Sequence, residues 1–150
     1  MKGGAAVSRS KKRLIRMNGS FLDAYIKIDM ICGEKFGIAN GGATEYINRL
    51  INARFAPGRD EVLSRLVKYR NIRNRIAHEE NALYTIDEVD KTDIKWLASF
   101  GKTINKKKDP ISVYLRRARR YARRQRMVKT VLVILALVLV AAAAAYFYLL

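Results

Sequence analysis

The chain has few of the residues that build metal centres and disulfide frameworks. Its 150 residues include one cysteine, Cys32, and one histidine, His78. A single cysteine excludes an internal disulfide, and one cysteine, one histidine and scattered carboxylates do not make the ligand set of a zinc site. We therefore expect no metal and no other cofactor. Cys32 falls on an apolar stripe, so we interpret it as a buried, unreactive thiol.

Other familiar patterns are missing as well. No segment alternates apolar and polar residues in the way a half-buried strand does, and no glycine-rich loop follows a strand. Nucleotide binding of the P-loop or dinucleotide-binding kind is therefore unsupported. The first 16 residues contain no apolar stretch of the kind found in a secretory signal peptide.

Acidic residues are scarce: there are 13 of them against 30 basic residues, which gives a net charge of +17. The excess is unevenly distributed, because residues 1–16 carry +6, residues 17–105 carry +1 and residues 106–129 carry +10. A polybasic run beside a membrane span attracts anionic lipid head groups by roughly 1 kcal/mol per residue near the surface. A bilayer therefore accounts for most of the positive charge, with no need for a nucleic acid.

Apolar residues recur three and four positions apart through the body of the chain, as they do in one-faced helices. The spacing predicts a first helix that starts at Leu14 and ends near Phe36, with Asp23 and Asp29 as surface residues or caps. A second helix is predicted from about Thr44, its proposed N-cap, to Arg54.

A third helix is predicted to begin at Arg59 or Asp60 and to loosen near residues 78–81, followed by a connector over residues 82–86. Asp87 is the expected cap of a fourth helix that ends near Ile104, and Pro110 suits the first turn of another. We therefore predict an all-α fold, with a small antiparallel four-helix bundle over residues 14–105 and a basic flexible arm over residues 1–13.

The last part of the chain has the composition of a membrane anchor. Residues 130–150 carry no charged side chain, and 21 helical residues span about 31 Å, close to the roughly 30 Å of a hydrocarbon layer. A buried soluble helix would show a polar face, and this segment has none. Residues 106–129 form the polybasic juxtamembrane segment. Its expected contacts with lipid head groups are Arg116, Arg117, Arg119, Arg120, Arg123, Arg124, Arg126 and Lys129.

The distribution of basic residues also predicts an orientation. Cytoplasmic flanks of membrane spans carry an excess of lysine and arginine, so the N-terminal domain is expected in the cytoplasm and the C-terminus across the membrane. The chain is thus predicted to be a single-pass membrane protein with anionic lipids as one partner.

The residues around the only histidine suggest phosphodiester chemistry. Arg73 and Asn74 precede His78 in the pattern Arg-Asn-x-x-x-His. Metal-free RNA cleavage needs a base for the 2′-hydroxyl, an acid for the leaving oxygen and positive charge on the phosphorane. His78 could act as base or acid, Arg73 could hold two phosphate oxygens, and Asn74 could orient the imidazole or contact the nucleotide.

The spacing raises a geometric difficulty. Positions 73 and 78 lie about 140° apart around an ideal helix. They converge only if the helix loosens near Ala77 or if Arg73 reaches around it. Arg70, Asn74 and His78 share a face more naturally, so Arg70 is a second candidate for binding the phosphate. Glu79 could orient His78.

This stretch resembles the signature of the HEPN superfamily, an arginine four to six residues before a histidine with a polar residue often beside the arginine. The resemblance covers residues 14–105 in helix order and length, and the membrane tail lies outside it. It implies a small helical bundle that acts as a metal-independent endoribonuclease on RNA, in a prokaryotic defence or toxin system. It also implies a site formed across a homodimer. One histidine per chain hardly fills both proton-transfer roles, whereas a symmetric dimer brings a second His78 and a second Arg73 into one cleft.

Two other functions fit the same sequence. The domain could be a catalytically inactive HEPN-like module for dimerisation or nucleotide binding that is tethered to the membrane, or a lipid-binding membrane protein with no nucleic-acid role. His78 could equally cap the C-terminus of its helix by hydrogen bonding to backbone carbonyls. The sequence names no protein partner and no RNA target.

Overall fold

The computed structural model describes residues 3–149 and is helical throughout that range apart from turns and loops, which confirms the predicted all-α class. Of the predicted arm and span, Met1, Lys2 and Leu150 lie outside the described residues. The helices are α1 (Gly3–Phe36), α2 (Gly42–Asn52), α3 (Arg59–His78), α4 (Ala82–Thr85), α5 (Lys91–Asn105) and α6 (Pro110–Leu149).

The chain divides into two units, one ending at Tyr114 and the other beginning at Leu115. The first contains α1 to α5 and the first residues of α6, and the second contains the rest of α6. Within the first unit, α1 is the central element, because it contacts α2, α3, α4 and α5.

Several boundaries differ from the predicted ones. Helix α1 begins at Gly3, so the segment predicted as a flexible arm is helical from that residue. Helix α2 begins at Gly42 with Gly41 as its N-cap, instead of starting at Thr44. The connector contains a short helix, α4, because the backbone N–H of Ile86 closes a turn onto the carbonyl of Ala82.

The cap predicted at Asp87 is wrong. Helix α5 is capped by Asp90, whose carboxylate accepts hydrogen bonds from the backbone N–H groups of Thr92 (2.7 Å) and Asp93 (2.9 Å). The carboxylate of Asp93 reaches back to the N–H of Asp90 at 3.1 Å. This reciprocal capping box satisfies donors that the first helical turn otherwise leaves unpaired. Asp87 lies three residues before the cap, outside the helix that begins at Lys91.

Aromatic side chains fill the core of the first unit. Tyr46 and Tyr69 are almost fully buried. Trp96 stacks on Phe100 with ring centroids 4.9 Å apart, and Phe100 meets the edge of Tyr46 at 5.4 Å. Phe21 meets the edge of Tyr69 at 5.7 Å. Such contacts add roughly 0.5–1.5 kcal/mol per pair beyond simple burial.

A glycine contact sets how closely α1 and α2 cross. A Cβ atom placed on Gly42 would overlap backbone atoms of Asp29 and Gly33 in α1. The two backbones therefore touch directly at this point. The carboxylate of Asp29 accepts a 2.9 Å hydrogen bond from the N–H of Ala43 in the first turn of α2. This confirms the expectation that Asp29 acts as a cap, but the helix it caps is α2.

A buried aspartate holds the start of α6 in the first unit. Asp109 is fully buried, precedes Pro110 and accepts a 3.2 Å hydrogen bond from the N–H of Ser112. Its oxygens also accept hydrogen bonds from Lys35 and from the hydroxyl of Tyr46, all at 2.8 Å. An N-cap aspartate followed by proline is a favoured helix start, so the predicted position of Pro110 is confirmed.

In the second unit, α6 carries a stretch that is long and apolar enough to cross a membrane, and none of that stretch is buried. The large apolar side chains between Val131 and Val140 are 54% to 68% exposed, so no protein core within residues 3–149 covers them.

Candidate functional site

Two of the predicted site arginines and the neighbouring asparagine lie together in a groove of about 310 Å³ in the first unit. We call it the arginine groove. Helix α3 forms one wall, and α1, the α1–α2 turn and the first turn of α2 form the others. Its lining residues are Tyr25, Ile26, Asp29, Met30, Ala39, Asn40, Gly41, Thr44, Arg70, Arg73 and Asn74.

The helical period explains the arrangement along α3. Leu66, Tyr69 and Ile72 form the buried face of this helix. Arg70, Arg73 and Asn74 are three and four positions apart, so they share a neighbouring face that borders the core without entering it. The Nη1 atom of Arg73 donates a hydrogen bond to Oδ1 of Asn74 at 3.2 Å. Arg70 and Asn74 therefore line the same groove, whereas His78, the third residue predicted to share their face, is not among its lining residues.

The two groove arginines form no direct ion pair, and the carboxylate of Asp29 lines the same groove. Among the residues that the structure describes, neither Arg70 nor Arg73 forms an ion pair with a carboxylate. By contrast, Arg75, two positions after Arg73, pairs with Glu79 at 3.4 Å and also with Glu88. These bonds to carboxylates raise the pKa of the Arg75 guanidinium. Of these three arginines in α3, the two that line the groove are therefore the ones available to an anion.

Tyr25 forms part of the groove wall opposite α3 and is almost fully buried. Burial raises the pKa of its phenol to about 12 and Asp29 adds to this, although Arg73 and Arg70 act in the opposite direction. The phenol therefore stays protonated at neutral pH and can donate a hydrogen bond.

His78 lies elsewhere. It is the last residue of α3, it is exposed, and it is not among the described residues that line the arginine groove. The helix stays regular through Ala77, so it does not loosen in the way that would bring His78 beside Arg73 within one protomer. Across residues 3–149 the imidazole forms no hydrogen bond and no ion pair.

The surroundings of His78 also test two other expectations. The C-cap of α3 is Glu79, whose N–H bonds the carbonyl of Arg75 at 2.8 Å, so His78 is not the cap residue. The carboxylate of Glu79 pairs with Arg75, so it is engaged by that guanidinium.

The sequence also led to predictions about metal ligands, Cys32 and the basic residues of α6. Over the described residues, no group of three or more histidine, cysteine or carboxylate side chains could hold a metal ion. Cys32 is buried, and burial raises the pKa of its thiol to about 12. The basic side chains expected to contact lipid head groups are all exposed on α6: Arg116, Arg117, Arg119, Arg120, Arg123, Arg124, Arg126 and Lys129.

Part of the arginine groove was not predicted. The walls formed by Tyr25, Asn40 and Thr44 come from segments that are 29 to 48 positions away from Arg73 along the chain. The sequence carried one indirect signal, since glycines at positions 37, 41 and 42 mark a tight reversal that returns α2 against α1. That signal predicts a turn and does not say which helix the turn will face.

A scan against protein families matches residues 19–132 to a family of unknown function, DUF6548. The match covers 114 of the 150 residues. The chain belongs to this family. The matched range includes every residue that lines the arginine groove and the whole polybasic segment, and it ends three residues into the uncharged segment. No curated protein and no solved structure matches the chain.

Proposed function

We propose that this protein is a membrane-anchored, HEPN-like, metal-independent endoribonuclease that acts on RNA. The observation that carries the proposal is the arginine groove, where Arg70, Arg73 and Asn74 line one cavity and neither guanidinium is paired with a carboxylate. Guanidinium groups bind phosphate oxygens through two parallel hydrogen bonds, so this pair suits a phosphodiester.

The groove accounts for binding and charge stabilisation. Arg73 and Arg70 hold the non-bridging oxygens and stabilise the charge that grows on the phosphorane. The amide of Asn74 and the protonated hydroxyl of Tyr25 supply hydrogen bonds to the nucleotide. Cleavage then proceeds by attack of the 2′-hydroxyl on the phosphorus, which leaves a 2′,3′-cyclic phosphate and a free 5′-hydroxyl.

Proton transfer is assigned to His78. Because His78 lies outside the groove of its own protomer, the proposal needs a second copy of the chain. A symmetric dimer supplies two imidazoles, one to take the 2′-hydroxyl proton and one to protonate the leaving oxygen. Two exposed apolar side chains at the groove edge, Ile26 at 52% and Met30 at 60%, support an interface beside this site.

In this proposal, the C-terminal part of α6 determines where in the cell the protein acts. The uncharged stretch of α6 serves as a single membrane span, and the basic residues before it bind anionic head groups on the cytoplasmic side. The groove-bearing unit then faces the cytoplasm, where RNA is present. A role in a prokaryotic defence or toxin system follows from the same resemblance.

The proposal is tested with the full chain in neutral detergent, a labelled RNA and EDTA. We expect wild type to cleave the RNA and His78→Ala to bind it without cutting. Arg73→Ala should weaken RNA binding about tenfold, which is the usual value of a charge-assisted pair of hydrogen bonds. Arg54→Ala removes an exposed arginine outside the groove and serves as the matched control. Cleavage that survives His78→Ala would remove the imidazole from the mechanism.

A second function is favoured by the distance of His78 from the groove. In that case the domain is a catalytically inactive, membrane-tethered module that dimerises or binds nucleotides through Arg70, Arg73 and Asn74. The same assay separates the two functions. An inactive module binds RNA or nucleotides in a manner that depends on Arg73, and cuts RNA in no variant.

A further inference from the structure

A second groove of about 780 Å³ lies between α1 and α5 in the first unit. We call it the α1/α5 groove. It is lined by residues of the N-terminal half of α1 and the first two turns of α5: Lys12, Arg13, Arg16, Met17, Ser20, Lys91, Ile94 and Lys95. None of these residues belongs to the arginine groove, and none is used by the proposed ribonuclease.

Five cations surround this cavity, and they are almost free of acidic partners. Arg13 approaches Asp87 at 3.7 Å, with both side chains about two-thirds exposed. The other four form no ion pair anywhere in the described part of the chain. Elsewhere in the first unit, basic side chains such as Lys35, Arg49 and Arg75 are paired with carboxylates. The α1/α5 groove therefore brings four cations without an ion pair to one cavity, against two in the arginine groove.

The floor of the α1/α5 groove is apolar. Met17 and Ile94 are half-buried and pack against the core, while the cationic residues around them are exposed. Lysine and arginine keep their charged ends in water and lay their methylene stems along apolar surface. The cavity thus offers positive charge at its rim and hydrocarbon at its base, which matches a molecule with a phosphate at one end and a hydrocarbon chain at the other.

The lining residues favour lipid over nucleic acid. Single-stranded RNA is bound by positive grooves that also carry aromatic rings for base stacking, and none of the eight lining residues is aromatic. The same chain carries a helix long and apolar enough to cross a membrane. That helix ties the first unit covalently to a segment suited to a bilayer, so phospholipid is the anionic ligand at the highest effective concentration.

We propose that the α1/α5 groove binds one anionic phospholipid. The cations at positions 12, 16, 91 and 95 hold the head-group phosphate, and Met17 and Ile94 contact the first methylenes of an acyl chain. This site is separate from the polybasic segment of α6, and it would exist whether or not the arginine groove cleaves RNA.

The test must report binding in the α1/α5 groove alone, because the apolar segment of α6 would bind any lipid aggregate. A dye placed beside the groove meets this need. The full chain carries Ala98→Cys, an exposed position one turn beyond Ile94 on α5, labelled with an environment-sensitive dye. Cys32 is buried and its thiol pKa is raised to about 12, so the dye goes to position 98. In neutral detergent, short-chain phosphatidylglycerol is titrated against short-chain phosphatidylcholine, inorganic phosphate and a single-stranded RNA.

We expect a saturable dye response to phosphatidylglycerol that is at least about tenfold weaker with phosphatidylcholine. Replacing Lys12, Arg16 and Lys95 by Gln should weaken the phosphatidylglycerol response at least about tenfold, because each cation near an anionic head group contributes a several-fold change. Lys27, Arg54 and Lys102 replaced by Gln remove the same charge from other exposed positions, and this control should stay within about twofold of wild type.

A second groove variant shows whether weaker binding by the first comes from misfolding. Ser20→Glu places a carboxylate at the rim of the groove, keeps every cation and changes only an exposed helical side chain, so it should fold and bind phosphatidylglycerol more weakly. Three results would overturn the proposal. They are equal responses to the two lipids, an unchanged response in both groove variants, and a response to RNA or inorganic phosphate that equals or exceeds the response to phosphatidylglycerol.

Discussion

Replacing Asp109 by alanine should destabilise the first unit more than any exposed substitution. The carboxylate is fully buried and accepts hydrogen bonds from Lys35, from the hydroxyl of Tyr46 and from the N–H of Ser112. It joins α1, α2 and the start of α6 at one point. Asp109→Ala leaves all three donors without their acceptor.

The size of the effect follows from how exposed each donor is. The side chain of Lys35 is 16% exposed, so its ammonium group can turn toward water at modest cost. Tyr46 is fully buried, and an unsatisfied buried hydroxyl costs about 1–3 kcal/mol. Loss of an N-cap costs about 0.5–2 kcal/mol more. The combined loss is about 1.5–5 kcal/mol, a range that overlaps the roughly 3–5 kcal/mol usual for breaking a buried ion pair.

The only tryptophan provides the assay. Trp96 stacks on Phe100, which meets Tyr46 edge-on, so its emission reports on the packing around Asp109. Urea unfolding of the full chain in neutral detergent should show a large fall in midpoint for Asp109→Ala. Asp23→Ala, which removes an exposed aspartate of α1, should leave the midpoint near that of wild type. Equal midpoints for the two variants would refute the reasoning.

The same side chain predicts a pH dependence. Burial would raise the pKa of Asp109, but hydrogen bonds from Lys35, Ser112 and Tyr46 outweigh it and hold the pKa below its ordinary value of 3.8. A lowered pKa in the folded state means that the ionised carboxylate stabilises the fold above that ordinary value. This contribution is lost as the pH falls through the folded-state pKa. The difference in midpoint between wild type and Asp109→Asn should therefore narrow in acid, and a constant difference would contradict the assignment.

Three further predictions concern packing and chemistry in the first unit. Gly42→Ala should lower the free energy of unfolding by about 1–3 kcal/mol or more, because the new Cβ overlaps backbone atoms of α1. Gly19→Ala meets nothing within 4 Å, so in the same urea unfolding experiment it should raise the free energy of unfolding by roughly 0.5–1 kcal/mol. Cys32 should resist thiol reagents in the folded protein and react once urea unfolds it, and rapid reaction of the native protein would contradict its burial. Asp90→Ala should cost about 0.5–2 kcal/mol through loss of the α5 cap, while Asp87→Ala should have little effect on the unfolding midpoint.

Periodic features of the molecule could be predicted from the sequence. Phe21, Tyr25, Ile28 and Cys32 recur at three- and four-residue steps, and all four are buried along one face of α1. Helix α3 begins at Arg59, one of the two predicted starts, and ends at His78, where the predicted loosening begins, because helical periodicity and the turn before the helix depend on neighbouring residues only.

Features that depend on tertiary packing could not be predicted in this way. The carboxylate that caps α2 comes from Asp29, 14 positions before Ala43, and only the crossing of α1 and α2 brings it there. Gly42 was predicted as part of a turn, yet its lack of a side chain matters because α1 lies against it. Asp87 and Asp90 are equally good caps by residue type, and each is followed by an aspartate three positions later, so local sequence does not distinguish them and the start of α5 at Lys91 does.

In the candidate site too, features set by helical spacing could be predicted, and features set by tertiary packing could not. Arg70 and Asn74 share a face because they are one helical turn apart, and the structure brings both into the arginine groove with Arg73. His78 lies one turn beyond Asn74 and is the last residue of α3. Its imidazole does not lie against α1 in the groove. Whether a second copy of the chain supplies that imidazole depends on an interface, which neither helical spacing nor a single protomer specifies.

A mixing experiment tests the central claim most directly, namely that two copies of His78 serve one RNA-cleaving site. Full-length wild type and His78→Ala are combined in detergent at varied ratios and constant total concentration, allowed to exchange subunits, and assayed for RNA cleavage in EDTA. If both imidazoles are needed, activity follows the square of the wild-type fraction, and an equal mixture retains about one quarter of the wild-type rate. A linear dependence, with about half the rate in the equal mixture, would contradict a shared site, and an absence of cleavage at every ratio would contradict the ribonuclease itself.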